Sequence, residues 1–138
     1  MYTLETENFY LSLNPKTCPE DLPFPVNTAM DIKVTSYNFS ARAVIDTDAK
    51  RLAAFALDLN KMYENLQGSA RLEETYGLHS FIEFEAVGRG HITVKGDIYS
   101  TVAYRHSHRL CFENEIDQSY LKDFLQDLLA GVGRYAAQ

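Results

Sequence analysis

Three alternating strand-like runs, leading directly into a capped amphipathic segment, constrain this chain more than any other feature. They are Phe81–Val87, His91–Ile98 and Leu110–Ile116, followed by Asp117-Gln118-Ser119-Tyr120-Leu121. Alternation at period two places every second side chain on one face, so each run predicts a strand buried on one side only. Ile82, Phe84 and Ala86 form that side in the first run, and Ile92, Val94, Gly96 and Ile98 in the second. Gly88-Arg89-Gly90 supplies residues that tolerate positive φ between them, and so short a link implies antiparallel neighbours. Beyond the third run, Asp117 is placed to cap a helix, with Ile116 and Leu121 as a hydrophobic staple across the cap. Its buried stripe is Leu121, Phe124, Leu125, Leu128 and Val132. Gly131 and Gly133 weaken that helix and leave residues 134–138 as a frayed tail.

Upstream, all four prolines (Pro15, Pro19, Pro23 and Pro25) fall within residues 14–28. Proline lacks the ladder amide and biases its predecessor toward extended geometry, so 14–28 reads as a proline-rich loop. Phe9, Leu11 and Leu13 mark a strand before it, and Met30, Ile32 and Val34 one after it. The parity then changes to Tyr37, Phe39, Ala41, Ala43 and Ile45, which predicts a bulge or tight turn near Thr35-Ser36. A first helix is expected over Asp48–Leu66, capped by Asp46, Thr47 or Asp48 and ended by Gly68 in a left-handed conformation. It buries Leu52, Phe55, Ala56, Leu59, Met62, Tyr63 and Leu66 and presents Lys50, Asp58, Lys61 and Glu64 to water. Ala70 and Leu72, with Tyr76, then open a further strand, and Gly77–Ser80 turns. No internal repeat is visible. The expected fold is α+β, residues 1–138 forming one domain. A single antiparallel sheet of about five to six strands carries the two helices, Asp48–Leu66 and Gln118–Ala130, on one face.

Charge narrows the class of partner. A net charge of −6 with a pI near 5.1 argues against nucleic acid or an anionic membrane as a direct partner, because both select for Lys and Arg. A basic protein fits instead. No basic n-region followed by an apolar stretch opens the chain, and no apolar run is long enough to span a bilayer, so a cytoplasmic location is expected. Cys18 and Cys111, far apart, read as reduced thiols.

Candidate chemistry is sparse. His106 and His108 share a strand face and offer two metal ligands, but no Cys, Asp or Glu sits at a companion spacing, so no metal or other cofactor is expected. Cys111, between Leu110 and Phe112, reads as a small packed hydrophobe. Glu83/Glu85 and Glu113/Glu115 are paired carboxylates on exposed strand positions, which does not raise a pKa as a general acid requires. Gly88-Arg89-Gly90-His91 is not followed by a helix and so lacks the terminus of a phosphate cradle. An enzymatic role is therefore not expected.

Several short segments together resemble a known family. Phe39-Ser40, Leu66-Gln67-Gly68-Ser69-Ala70-Arg71-Leu72, Gly90-His91-Ile92-Thr93-Val94-Lys95-Gly96, and Phe112 through Asp117-Gln118-Ser119-Tyr120-Leu121 are similar to the WapI-like immunity proteins of bacterial polymorphic toxin systems. The resemblance runs from about Met30 to Leu129 and leaves out the proline-rich segment. It implies an antitoxin that binds and neutralises a cognate toxin domain, such as a nuclease, by stoichiometric, non-catalytic inhibition. A nuclease needs a basic groove, and carboxylates are suited to block one. The candidate partner-binding residues are Glu83, Glu85, Glu113 and Glu115, on the open sheet face. The alternative is a small ligand-binding or regulatory module with a pocket around Tyr99, Tyr104 and His106.

Overall fold

The computed structural model describes residues 1–77, 79–102 and 106–137, with the side chains of residues 101, 102, 106 and 137 outside that description. Four strands come first: β1 (Tyr2–Glu5), β2 (Phe9–Thr17), β3 (Thr28–Ser36) and β4 (Phe39–Thr47). Helix α1 (Ala49–Asn65) follows, then β5 (Ser69–Glu73), β6 (Phe81–Gly88), β7 (His91–Val102) and β8 (His106–Asp117), and finally α2 (Leu121–Val132). The element order of four strands and a helix thus occurs twice, although no sequence repeat marks it.

The strands form two antiparallel four-stranded sheets, β1-β2-β3-β4 and β5-β6-β7-β8, rather than the single sheet of five to six strands expected. Alternation specifies which face of a strand is buried and is silent on which strand lies beside it. Here α1 intervenes between β4 and β5, and β5 pairs with β6 (Leu72 opposite Ile82) instead of returning to β4. The sheets meet through side chains. Phe9 and Phe112 bring their ring centroids to 5.8 Å, and the Asn114 amide donates to the Ser36 hydroxyl in a buried contact. Both sheets turn their apolar faces onto the two helices, and Leu11, Ile32, Phe55, Leu59, Phe84, Val94, Phe124 and Leu128 belong to one continuous core.

Prolines do not make all of 14–28 a loop. β2 extends through Pro15 to Thr17 and pairs with β3 as far as Thr17 opposite Thr28. The missing Pro15 amide costs nothing, because β1 has ended at Tyr2 opposite Leu13 and β2 is an edge there. A 3-10 turn at Pro19–Asp21 lies inside the remainder. The parity switch is a two-residue hairpin, Tyr37-Asn38, between the paired Ser36 and Phe39.

Helix α1 is capped by Asp48, whose carboxylate accepts from the Lys50 amide at 3.0 Å. Its left-handed C-cap is Leu66 (φ 53°), not Gly68, and Leu66 is exposed rather than part of the buried stripe. Asp117 caps a 3-10 turn (Gln118–Tyr120) through the Ser119 amide, so α2 starts a turn later than expected and runs on to Val132 through Gly131. Residues Gly133–Ala137 form a 3-10 helix instead of fraying, with Tyr135 packed on the core.

Gly96 interrupts the otherwise β-branched inward face of β7, Ile92, Val94 and Ile98, for a steric reason. A Cβ there would press on the Phe81 carbonyl and stand 2.9 Å from the Phe112 ring. Gly96→Ala should lower stability by about 1–3 kcal/mol, the cost of overpacking a filled site. Urea titration should show the midpoint falling at constant slope; an unmoved midpoint would mean that β6 and the Phe112 ring yield without strain.

Candidate functional site

Each sheet has one face on the core and one in water, and the two open faces differ in charge. On β1–β4 the open positions carry Glu5, Asp31 and Asp46 against Lys16, Lys33 and Arg42, which balance. On β5–β8 they carry Glu73, Glu83, Glu85, Asp97, Glu113, Glu115 and Asp117 against Arg71, Lys95 and Arg109, with His91 beside them. The second face is therefore the acidic one.

Register brings the four sequence-selected glutamates together. Glu83 and Glu113 flank Lys95 across β6, β7 and β8, while Glu85 and Glu115 flank Thr93 in the adjacent row. Their surroundings separate them. Glu83, with a side chain only 17% exposed, lies 3.5 Å from Lys95 and 3.8 Å from Arg71, so its charge is compensated within the face. Glu115 reaches the His91 imidazole at 3.0 Å. Glu85 and Glu113 have no ion-pair partner among the described residues. Asp97 is spoken for as well: it takes both arms of the Arg109 guanidinium at 2.9 and 3.1 Å, which hold its carboxyl below the usual range against the opposing effect of burial.

Cys111 occupies an open-face position and is exposed, not packed, because Leu110 and Phe112 are the inward residues of that stretch. Alternation assigns it outward, and the apolar neighbours obscured that. His108 is exposed on β8; the His106 side chain and Tyr104 lie outside the described residues, so the pocket imagined around Tyr99, Tyr104 and His106 does too. Among the described residues no three of His, Cys, Asp and Glu converge as metal ligands, and no helix is long and apolar enough to cross a membrane.

Where the two sheets approach, a groove opens between the β3–β4 hairpin and β8. Tyr37, Phe39, Leu110, Cys111, Phe112 and Glu113 contribute to a volume of about 510 Å³. A second hollow of about 420 Å³ continues it past Phe39 and Leu110 toward Arg42 and His108. Tyr37 and Phe39, assigned from parity to a buried face, are instead 64% and 68% exposed. They stand at the hairpin tip, beyond the reach of the core. The signal available for them was two aromatics bracketing an Asn at a parity switch, which marks a two-residue turn.

No curated protein matches the chain. The model of the immunity protein WapI-like family matches residues 6–136, so the match includes the proline-rich segment that the short motifs had left out. Spanning almost every residue from the β1–β2 turn to the C-terminal 3-10 helix, that match establishes that the chain belongs to the WapI-like immunity protein family.

Proposed function

We propose that this chain acts in the cytoplasm as an antitoxin. It neutralises a cognate toxin domain by stoichiometric, non-catalytic binding, and Glu83, Glu85, Glu113 and Glu115 contribute to the surface that covers a basic, nuclease-type active site. The observation that carries this reading is the charge asymmetry of the two open faces: one sheet balances its charges and the other does not. Solubility alone would be served by either arrangement, whereas a one-sided acidic face suits a partner whose own site attracts phosphates. Membership of an immunity family supports a protein partner over a small ligand.

Glu85 and Glu113 are the residues to test, since reversing Glu83 would also break its bonds to Lys95 and Arg71. The double variant Glu85→Lys/Glu113→Lys should associate about tenfold more slowly with the cognate toxin domain at low ionic strength, with a flatter salt dependence. Its thermal unfolding should match that of the unmodified chain, because exposed charges contribute little to folding. An unchanged rate and salt dependence would remove this face from the interface. Absence of any complex, together with no protection on co-expression, would remove the antitoxin reading itself.

A further inference from the structure

The groove at the sheet junction bears on how such a partner is held, and its argument rests on the antitoxin reading. Tyr37 combines two features that Leu66, at the end of α1, also has. Its φ of 55° lies in the left-handed region, where a residue with a bulky side chain is strained and Gly or Asn is favoured. Its ring nonetheless projects into solvent, so burial does not offset the strain. The backbone is locked there by the Tyr37 amide donating to the Asn8 carbonyl at 2.9 Å. Such backbone strain occurs at ligand clamps as well as in two-residue hairpin turns. Phe39, two residues on, is equally exposed, and the pair forms an aromatic wall along the groove.

Charge identifies the occupant. Two cations line the groove and its extension, and both are neutralised by a neighbouring aspartate. Arg109 is held in two hydrogen bonds by Asp97, and Arg42 by Asp31 at 3.0 and 2.7 Å. Glu113, with no ion-pair partner among the described residues, is the charge left over. An aromatic wall beside an uncompensated carboxylate matches a long cationic side chain, whose stem lies on the rings while its head meets the carboxylate.

We propose that Tyr37, Phe39 and Glu113 form an anchor site that receives an Arg or Lys side chain of the toxin domain, placing the tightest part of the interface at the sheet junction and leaving the rest of the acidic face to steer encounter. The two contributions separate kinetically. An anchor buried in a groove governs dissociation, whereas open-face charges govern association.

The full chain and its cognate toxin domain are the materials for the test, with rates measured by surface plasmon resonance. Phe39→Ala should raise the dissociation rate about tenfold or more while association changes little. Tyr37→Asn provides the sharper contrast: Asn accepts the left-handed turn, so thermal stability should hold or rise while dissociation quickens by a similar factor. The effects of Phe39→Ala and Glu113→Gln should fall short of multiplying in the double variant, as for groups contacting one side chain. If the unmodified chain binds the toxin and both hairpin variants release it at the unmodified rate, the anchor site is wrong and the antitoxin reading stands. If the unmodified chain does not bind at all, both fall.

Discussion

Replacing Phe84 with Ala should lower the stability of this protein by about 3–5 kcal/mol, the range for removing a buried phenyl ring from a packed core. Phe84 is 0% exposed and stands where β6 meets both helices. Its ring lies 5.9 Å from that of Phe55 on α1 and 6.1 Å from that of Phe124 on α2. Truncation therefore opens a cavity bounded by three elements, none of which can close it alone. The lost dispersion contacts add to the lost transfer energy of the ring. Thermal unfolding should shift down by roughly 10–20 °C for a domain of this size. Phe124→Ala should behave alike, and the double variant should cost less than the sum, since the two rings share one neighbourhood. A loss under about 1 kcal/mol at both positions, read from urea titrations, would mean that the helices do not hold the second sheet as described.

Phe84 also illustrates what was legible in the sequence. Period-two alternation predicted Ile82, Phe84, Ala86, Ile92, Val94 and Ile98 as inward, and all are buried except Ala86, which is partly buried against the core. The helical stripes of α1 and α2 were read equally well, apart from Leu66, which is exposed, and Tyr63, which is partly buried, because periodicity reports the direction of a side chain. Strand partnership is a different quantity. It depends on where the chain goes after a helix, and α1 has no residue that says whether β5 returns to β4 or starts a second sheet. The division into two sheets was therefore invisible. Pro15 misled for a related reason: its missing amide excludes a central ladder, and whether a position is central depends on where β1 happens to stop.

The site was legible in its charge and illegible in its shape. Glu83, Glu85, Glu113 and Glu115 share a face because their parity requires it, and the register adds which of them flank Lys95 and which flank Thr93. Their inequality was not readable. Glu83 is compensated by Arg71, which the antiparallel β5–β6 register sets directly opposite it; the short link at Gly77–Ser80 implied that pairing but not its register. Likewise, the groove beside Tyr37 and Phe39 exists because two sheets meet there, so a reading that expects one sheet has no place for it.

Asn27 should prove as important to stability as any core hydrophobe, although nothing in composition or spacing singles it out. It is 4% exposed at the end of the proline segment, and each of its polar atoms is used. The side-chain nitrogen donates to the Phe24 carbonyl and to the Asp48 carboxylate, both at 3.0 Å. Its side-chain oxygen accepts from the Ala49 amide at 2.8 Å and from the Thr28 hydroxyl at 2.9 Å. The backbone adds a bond from the Asn27 amide to the Thr47 carbonyl and one from the Cys18 amide to the Asn27 carbonyl. One residue thus closes the 3-10 segment, starts β3 and completes the cap of α1 alongside Asp48. In Asn27→Ala the Ala49 amide keeps its burial and loses its partner, and an unsatisfied buried donor costs about 1–3 kcal/mol by itself. With the Asp48 carboxylate and the Phe24 carbonyl also deprived of a donor, the total should reach roughly 2–5 kcal/mol. Hydrogen exchange separates this from a generic loss of stability. The Ala49 amide should exchange markedly faster relative to the amides in the middle of α1, because its acceptor has gone. Equal acceleration along the helix, or a total loss below about 1 kcal/mol, would show that water or a rearranged Asp48 takes over the role of the Asn27 oxygen.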